Sequence, residues 1–364
     1  MSVWIVEAEI AFLLFAIALP IAVGPMVYLH YRRYGTFNAW PALLSFGALL
    51  YFWGLVAFTL FPLPATDEEF CTLREEVSFW QLRPFASIGA VADLAVESGF
   101  VEVLTSPVFL QVAFNILLLV PLGAYLAFRY RKGLAFTAMV GLGVSLLIEL
   151  TQGTGVWGLY GCPYRLADID DLATNTLGAV VGWMIGTALV RLLPDPDPPS
   201  TSDTGPPGPP SVARRAAAFL LDLVYFVLLA GLIQTSYLIM TGGDPDGPPG
   251  PVVAMASVAS GVVLMLLVPL LRMDRATPGQ IATWLGVANN STTTPAAPPR
   301  VATRWLVRWG PLLTVGLLQP VLALVAVIAA ELLTVVIRND RRSLSAFLSR
   351  TQTVVRRQLT RDSS

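Results

Sequence analysis

The hydrophobic residues of this chain fall into long blocks separated by short polar segments. A membrane-spanning helix needs about 20 predominantly apolar residues. Seven blocks meet this length clearly, and an eighth, Pro311–Ile337, allows two topologies. The pattern predicts an all-α, polytopic transmembrane helical bundle, with about five membrane segments in a first domain and three in a second. The seven well-defined blocks are Ile5–Leu29, Trp40–Phe61, Val108–Phe128, Leu134–Leu150, Leu172–Leu193, Ala216–Met240 and Val252–Leu271.

A proline-rich segment between Pro194 and Pro210 divides the chain into two domains. It contains eight prolines, and Asp, Ser, Thr and Gly fill most of the gaps. Proline favours extended backbone, so the segment is expected to be a semi-rigid spacer. The sequence therefore predicts a five-helix membrane domain over residues 1–193, the linker 194–210, a second membrane domain over 211–355 and a basic tail over 356–364.

Composition excludes an ordinary soluble domain. The chain of 364 residues is 55% hydrophobic and 13% charged, whereas soluble domains are about 25% charged. The formal net charge of −1 carries little information. We expect membrane lipids as partners and no nucleic acid.

The distribution of basic residues predicts the orientation, because short loops with Arg and Lys remain in the cytoplasm. Arg32 and Arg33 follow the first block, so the N-terminus is expected outside; Arg131 and Lys132, after the third block, lie inside. The segment Leu63–Pro107, with eight acidic residues, falls outside. No basic n-region precedes the first block, so we expect an anchoring helix rather than a cleaved signal peptide. A single lysine beside twenty-two arginines is typical of a GC-rich genome and favours a bacterial plasma membrane.

The eighth block decides where the C-terminal tail lies. If Pro311–Ile337 crosses once, the arginine-rich tail lies outside, against the distribution of charge. A hairpin broken at Gln319-Pro320 would return the tail to the cytoplasm, because proline interrupts the helical ladder and favours a turn. We favour the hairpin and keep the single crossing as the alternative.

The two cysteines, Cys71 and Cys162, both fall in predicted outside loops. A disulfide is chemically allowed on the oxidising side of the membrane. We favour a bridge between the long acidic loop and the loop before Leu172; two free thiols are the alternative.

Polar residues cluster at helix ends of the first domain, all on the predicted outer side. Such groups are costly in a membrane and usually pair or line a wet cavity. Helical spacing places Glu149 with Gln152, and Asp171 with Asn175, on shared faces. One interpretation is a set of helix caps and ion pairs; the other is an outward-facing pocket, with Asp170 nearby, for a cation or an amine- or sugar-bearing headgroup. This outer polar cluster consists of Asn115, Glu149, Gln152, Arg165, Asp168, Asp171 and Asn175.

The fifth block also carries a glycine repeat at Gly178, Gly182 and Gly186. Small residues every fourth position let a neighbouring helix backbone approach closely. The repeat therefore predicts a tight helix pair that brings polar helix ends together.

Three stretches of the first domain resemble the signature motifs of the VanZ-like family, in the same order. They are NILLLVPLG from Asn115, SLLIELTQ from Ser145 and RLADIDDLATNTLG from Arg165, preceded by a loop motif at Arg83-Pro84-Phe85. The resemblance covers about residues 11–193 and implies a bacterial membrane protein connected with low-level resistance to lipoglycopeptides such as teicoplanin. It implies no catalytic residues, and the family's recurrent positions correspond to the outer polar cluster.

In the second domain, Arg215 and Asp222 lie two helical turns apart on one face, where an arginine would lower the cost of an intramembrane charge. With a TPGQ motif and two later arginines, this pair resembles the RDD family over about residues 211–355. Gln280 stands where that family usually has lysine, and Ala346 where its C-terminal aspartate is expected. Some members are linked to cation–proton exchange, which the missing acid puts in question. A structural or partner-docking module is the alternative.

Our leading hypothesis is a non-enzymatic protein of the bacterial cell envelope that binds a lipid-linked or glycopeptide ligand at the outer surface. No nucleophile motif and no zinc-ligand spacing is present, so we expect no catalytic residue, metal or cofactor. The alternative is transport of a cation or proton through Asp222 and Glu149. A membrane enzyme, with Glu149 and Asp171 as acid and base, is a third possibility. The oligomeric state is left open.

Overall fold

In the computed structural model the chain forms long helices and two small β-sheets. By internal contacts it divides into two compact units. Unit 1 comprises Met1–Ala16 and Ala39–Pro198; unit 2 comprises Ile17–Asn38 and Pro199–Ser364. The centre of the proline-rich linker, 198–208, lies outside the described residues. The structure describes residues 3–61, 71, 79–97, 99–163, 165–197, 209–242, 250–290, 292–314, 320–338, 340 and 342–359.

Among the described residues, seven helices are long and apolar enough to cross a membrane, which confirms the seven blocks predicted from the sequence. Much of their surface is apolar and exposed: Ile239 and Met240, for example, are 77% and 86% exposed. Lipid tails, rather than water, solvate such a surface favourably. The seven spans are Leu13–Tyr34, Ala39–Leu60, Pro107–Tyr130, Leu134–Gly153, Ile169–Leu192, Val212–Thr241 and Pro251–Leu271.

Unit 1 is built around three long helices that pack against one another. A two-residue parallel pairing joins β1 to β2, with Trp80 opposite Ala167. The chain enters the unit through the first part of helix α1, Val3–Tyr34. The other elements are α2 (Ala39–Leu60), β1 (Trp80–Gln81), α3 (Ala86–Glu97), α4 (Phe100–Thr105), α5 (Pro107–Tyr130), α6 (Leu134–Gly153), α7 (Gly155–Gly158), β2 (Ala167–Asp168) and α8 (Ile169–Leu192).

The starts of α5 and α8 follow local sequence signals. The hydroxyl of Ser106 accepts a hydrogen bond from Phe109 N, and Pro107 occupies the first helical turn, where its missing N–H costs nothing. Asp168 caps α8 by accepting from Asp170 N. Both caps satisfy backbone donors that a helix start would otherwise leave open.

The closest helix pair in unit 1 is α5 with α8, and glycine makes it possible. A Cβ on Gly178, Gly182 or Gly186 would collide with a carbonyl oxygen of α5, and one on Gly123 would collide with the backbone of α8. The glycine repeat therefore forms the tight helix pair that its spacing predicts. The close packing brings side chains at the N-terminal end of α8 against α5 and α6.

Unit 2 begins with the second half of α1, which Arg214 ties to the rest of the unit. The Arg214 guanidinium donates to Gly35 O at 3.1 Å and to Thr283 O at 2.8 Å, and it lies over the Tyr31 ring. The remaining elements are α9 (Val212–Thr241), α10 (Gly250–Val262), α11 (Val268–Leu271), α12 (Pro278–Ala282), β3 (Leu285–Asn289), α13 (Pro298–Leu313), α14 (Pro320–Ile337), α15 (Leu344–Leu348) and β4 (Thr351–Val355).

One turn of π-helix, Val263–Leu267, joins α10 to α11 and makes them one continuous span. Pro269 follows it inside the same span. Proline has no N–H to donate, so the backbone hydrogen bond to the residue four positions earlier is lost and the helix before it must change its geometry. A π-turn is one way to absorb that change without ending the helix.

The strands β3 and β4 pair antiparallel, with Leu285 opposite Val355 and Asn289 opposite Thr351. The chain therefore leaves this sheet through α13 and comes back to it after α14. The hairpin predicted at Gln319-Pro320 includes positions outside the described residues and stays a prediction. The two small sheets were not predicted from the hydrophobic pattern, because strands of two to five residues carry little periodic signal.

Candidate functional site

The N-terminus of α8 brings Glu149, Asp168 and Ser87 together in unit 1. Glu149 Oε2 accepts a hydrogen bond from Asp168 N at 2.9 Å. Asp168 Oδ2 accepts from the Ser87 hydroxyl at 3.0 Å. Both acids are at least 95% buried, and each has a protein donor, which lowers the cost of burial.

Asp170, in the first turn of α8, holds the loop that carries the Arg83-Pro84-Phe85 motif. Its Oδ1 accepts from Phe85 N at 2.6 Å, and its Oδ2 accepts from Ser87 N at 2.8 Å. Phe85 has a positive φ of 65°, a conformation that needs such support. This role of Asp170 was not predicted from the sequence. The signal was its place beside two other acids, but spacing alone could not identify its partner.

Gln152 and Arg165 hold the C-terminal end of α2. Gln152 Nε2 donates to Thr59 O at 2.9 Å, and Arg165 donates to the carbonyl oxygens of Phe58 and Phe61. The last carbonyls of a helix lack intrahelical partners. These two members of the outer polar cluster thus fasten helix α2 to α6 and to the segment before β2.

Asp171 and Asn175 lie one turn apart on α8 and face α6. Asn175 Nδ2 donates to the Ser145 hydroxyl at 3.0 Å, and that hydroxyl donates to Asp171 O at 3.2 Å. The side chain of Asn115, on α5, lies beside the Asp171 carboxyl and interacts with it, although no hydrogen bond of normal geometry joins the two side chains. Three helices therefore contribute polar side chains to one place.

Three buried polar atoms in this place find no hydrogen-bond partner among the described residues. They are Asn115 Nδ2, Asp171 Oδ1 and Asn175 Oδ1. Leaving a buried polar group unsatisfied costs about 1–3 kcal/mol. The three atoms, one donor and two acceptors, could therefore gain hydrogen bonds from a bound ligand.

A disulfide bond joins Cys71 to Cys162, with the two Cα atoms 5.7 Å apart. That separation is normal for a disulfide. The bridge ties the acidic segment to the connection before β2.

In unit 2, Asp222 is fully buried and accepts two hydrogen bonds from the start of α12. Thr277 Oγ1 donates to its Oδ2 at 2.8 Å, and Gly279 N donates to its Oδ1 at 2.7 Å. A Cβ on Gly279 would collide with Ala218 O on α9. Close packing and an anion at the helix start together fasten α12 to α9.

The two departures from the RDD pattern have structural counterparts. Gln280 completes a capping box: its Oε1 accepts from Thr277 N at 3.0 Å, which a lysine could not do. Ala346 is buried, and the acid at that turn comes instead from Glu331, whose Oε1 accepts from Ser345 N at 2.9 Å. Glu331 was not singled out from the sequence, although it is the one acid within the apolar helix α14.

Ion pairs at the sheet end of unit 2 lie outside the seven spans. A hydrogen bond to Asp274 raises the pKa of Arg272. The guanidinium groups of Arg338 and Arg342 hold the pKa of Asp340 well below its usual range. These pairs are partly exposed, so they contribute little to stability. Within the described part of the chain, no group of three or more His, Cys, Asp or Glu side chains is arranged to hold a metal ion.

Seven apolar spans and buried intramembrane polar contacts define a multi-pass α-helical membrane protein. A family model described as VanZ/LLP1 matches residues 48–191, and one described as RDD family matches residues 209–345. The chain is thus a VanZ-like region followed by an RDD domain, as the sequence motifs predicted. No curated protein and no solved structure matches it.

Proposed function

We propose that this chain is a protein of the bacterial plasma membrane whose VanZ-like half binds a polar ligand at the outer surface. The ligand class is the headgroup of an envelope lipid, a lipid-linked precursor or a glycopeptide. Binding, not catalysis, is the proposed activity. In cells it would contribute to low-level resistance to teicoplanin-type drugs or to the handling of envelope lipids.

The observation that carries this proposal is the set of three unpartnered atoms on Asn115, Asp171 and Asn175. The other acids nearby are engaged: Asp168 and Asp170 accept hydrogen bonds from protein donors on both oxygens. Helix capping thus accounts for Asp168. The atoms of the cluster that lack a hydrogen-bond partner belong to Asn115, Asp171 and Asn175. An amine- or hydroxyl-bearing headgroup has the donors and acceptors that would complete them.

Cation or proton transport through Asp222 has less support from the contacts. Both oxygens of Asp222 accept short hydrogen bonds from α12, an arrangement that suits a fixed structural anion. Asp222→Asn in proteoliposomes, compared with wild type, would test this alternative directly. Cation-driven pH change that wild type shows and the variant lacks would favour transport.

Gene deletion and complementation test the proposed function. We expect the deletion strain to be more sensitive to teicoplanin or to have altered envelope lipids, and wild-type protein to restore it. Asp171→Asn and Asn175→Ala should fail to restore it at equal protein level. Asp93→Asn, which changes an exposed acid on α3, is the matched control and should restore it. Unchanged sensitivity and unchanged lipid composition in the deletion strain would contradict the proposal.

A further inference from the structure

Unit 2 contains a cavity of about 170 Å³ between α9, α13 and α14. Three arginines line it: Arg215 from α9, and Arg304 and Arg308 from α13. One acid, Glu331, lines it from α14. The remaining wall is mainly apolar, so the cavity has one cationic region in otherwise hydrophobic surroundings.

The lining of the cavity contains more basic than acidic side chains. Arg308 Nη2 lies 2.7 Å from Glu331 Oε2 and forms a neutral pair with it. Asp222 acts on Arg304 from outside the cavity lining, and its own oxygens are taken by α12. The lining itself thus holds three arginines and one acid, and that acid is already paired with Arg308.

Arg304 is buried in the wall of the cavity, and its hydrogen-bond partners there are neutral. It is 7% exposed, and its guanidinium donates to the hydroxyls of Thr351 and Thr353, at 2.9 and 2.8 Å. Hydroxyls satisfy its N–H groups without neutralising its charge. Burial, together with neighbouring Arg308, lowers the pKa of Arg304 to about 9, so it stays charged at neutral pH at an energetic cost. An anion in the cavity would offset that cost.

A second observation points to a ligand with acceptor oxygens. Arg308 Nε is buried and finds no hydrogen-bond partner among the described residues. Phosphate oxygens suit the fork of guanidinium donors that arginine presents, and arginine–phosphate bonds are among the stronger hydrogen bonds in proteins.

The surroundings of the cavity favour a lipid over a free phosphate ion. Arg215 lies in the first turn of α9, a membrane span that begins at Val212, so the cavity is at headgroup level. Two residues that line it also face outward, Leu220 at 58% and Leu332 at 43% exposed. They offer apolar surface along which an acyl chain can continue. We propose that this cavity binds the phosphate of an anionic membrane lipid; the inference is independent of the function proposed for the VanZ-like half.

The test is lipid binding to the purified full-length chain, measured by native mass spectrometry. Dioctanoyl phosphatidylglycerol, dioctanoyl phosphatidylcholine and inorganic phosphate are added separately. We expect phosphatidylglycerol, which has a net negative charge, to bind at least tenfold more tightly than phosphatidylcholine, because the choline cation offsets the phosphate charge and is repelled by the arginines. We expect inorganic phosphate to bind more weakly still. Equal binding of the two lipids, or of inorganic phosphate and phosphatidylglycerol, would overturn the proposal.

Variants locate the site. Arg304→Gln should weaken phosphatidylglycerol binding about tenfold or more, and Arg304→Lys, which keeps the charge but loses the guanidinium fork, should bind with an affinity between those of Arg304→Gln and wild type. Arg32→Gln changes an exposed arginine of the same unit and should bind as wild type. If Arg304→Gln does not fold, Arg215→Gln carries the same test. Wild-type binding in a folded Gln variant would refute the assignment.

Discussion

Glu331 and Arg308 join α14 to α13 through an ion pair of 2.7 Å whose two side chains are 13% and 14% exposed. The second oxygen of Glu331 accepts from Ser345 N, so the same carboxylate also holds the start of α15. One side chain therefore connects three elements. Its removal would leave a mostly buried guanidinium without its carboxylate.

Glu331→Gln should destabilise the protein by about 3 kcal/mol, because breaking a buried pair leaves an uncompensated charge. Thermal unfolding in detergent measures the change. Asp340→Asn is the matched control: its pairs with Arg338 and Arg342 are more exposed, and its effect should stay below about 1 kcal/mol. Equal effects of the two substitutions would contradict the assigned role of Glu331.

Gly182→Leu should disrupt the α5–α8 interface, because any side chain there meets Val120 O. Overpacking of this kind costs about 1–3 kcal/mol or more. Gly143→Leu introduces the same side chain on α6, where nothing lies within 4 Å, and should be tolerated. The measurement is the yield of monodisperse protein in detergent and its melting temperature. A Gly182→Leu protein as stable as the Gly143→Leu protein would show that the helices do not pack this closely.

Asp170→Ala should loosen the turn at Phe85–Ser87, whose two backbone N–H groups would lose their acceptor. We expect a loss of about 3 kcal/mol and faster chymotrypsin cleavage after Phe85. Asp93→Ala, which removes an exposed acid on α3, should change neither the stability nor the cleavage rate. Unaltered cleavage in Asp170→Ala would argue against this contact.

Cys71→Ser should lower stability by about 2–5 kcal/mol, because a crosslink across 91 residues restricts the unfolded chain. Wild-type protein treated with reductant should melt at the same temperature as Cys71→Ser, and the variant should not respond to reductant. Cys162→Ser should behave in the same way. A wild-type melting temperature unaffected by complete reduction would refute a stabilising bridge.

The locations of the spans could be predicted from sequence because crossing a membrane needs long apolar blocks, and length and hydrophobicity are local properties. The glycine repeat on α8 likewise predicted a close helix contact from spacing alone. The site was only partly predictable. Spacing placed Asp171 with Asn175 on one face, but it could not show that Asp170 turns to the Phe85 loop.

The sequence by itself determined the class of this protein, its seven spans and its division into a VanZ-like and an RDD region. Only the tertiary structure decided which polar atoms find partners. Asn115, Asp171 and Asn175 come from two different helices, and Glu331 meets Arg308 across a gap of 23 residues. Such pairings depend on how helices pack and rotate against one another, which no local pattern of residues specifies.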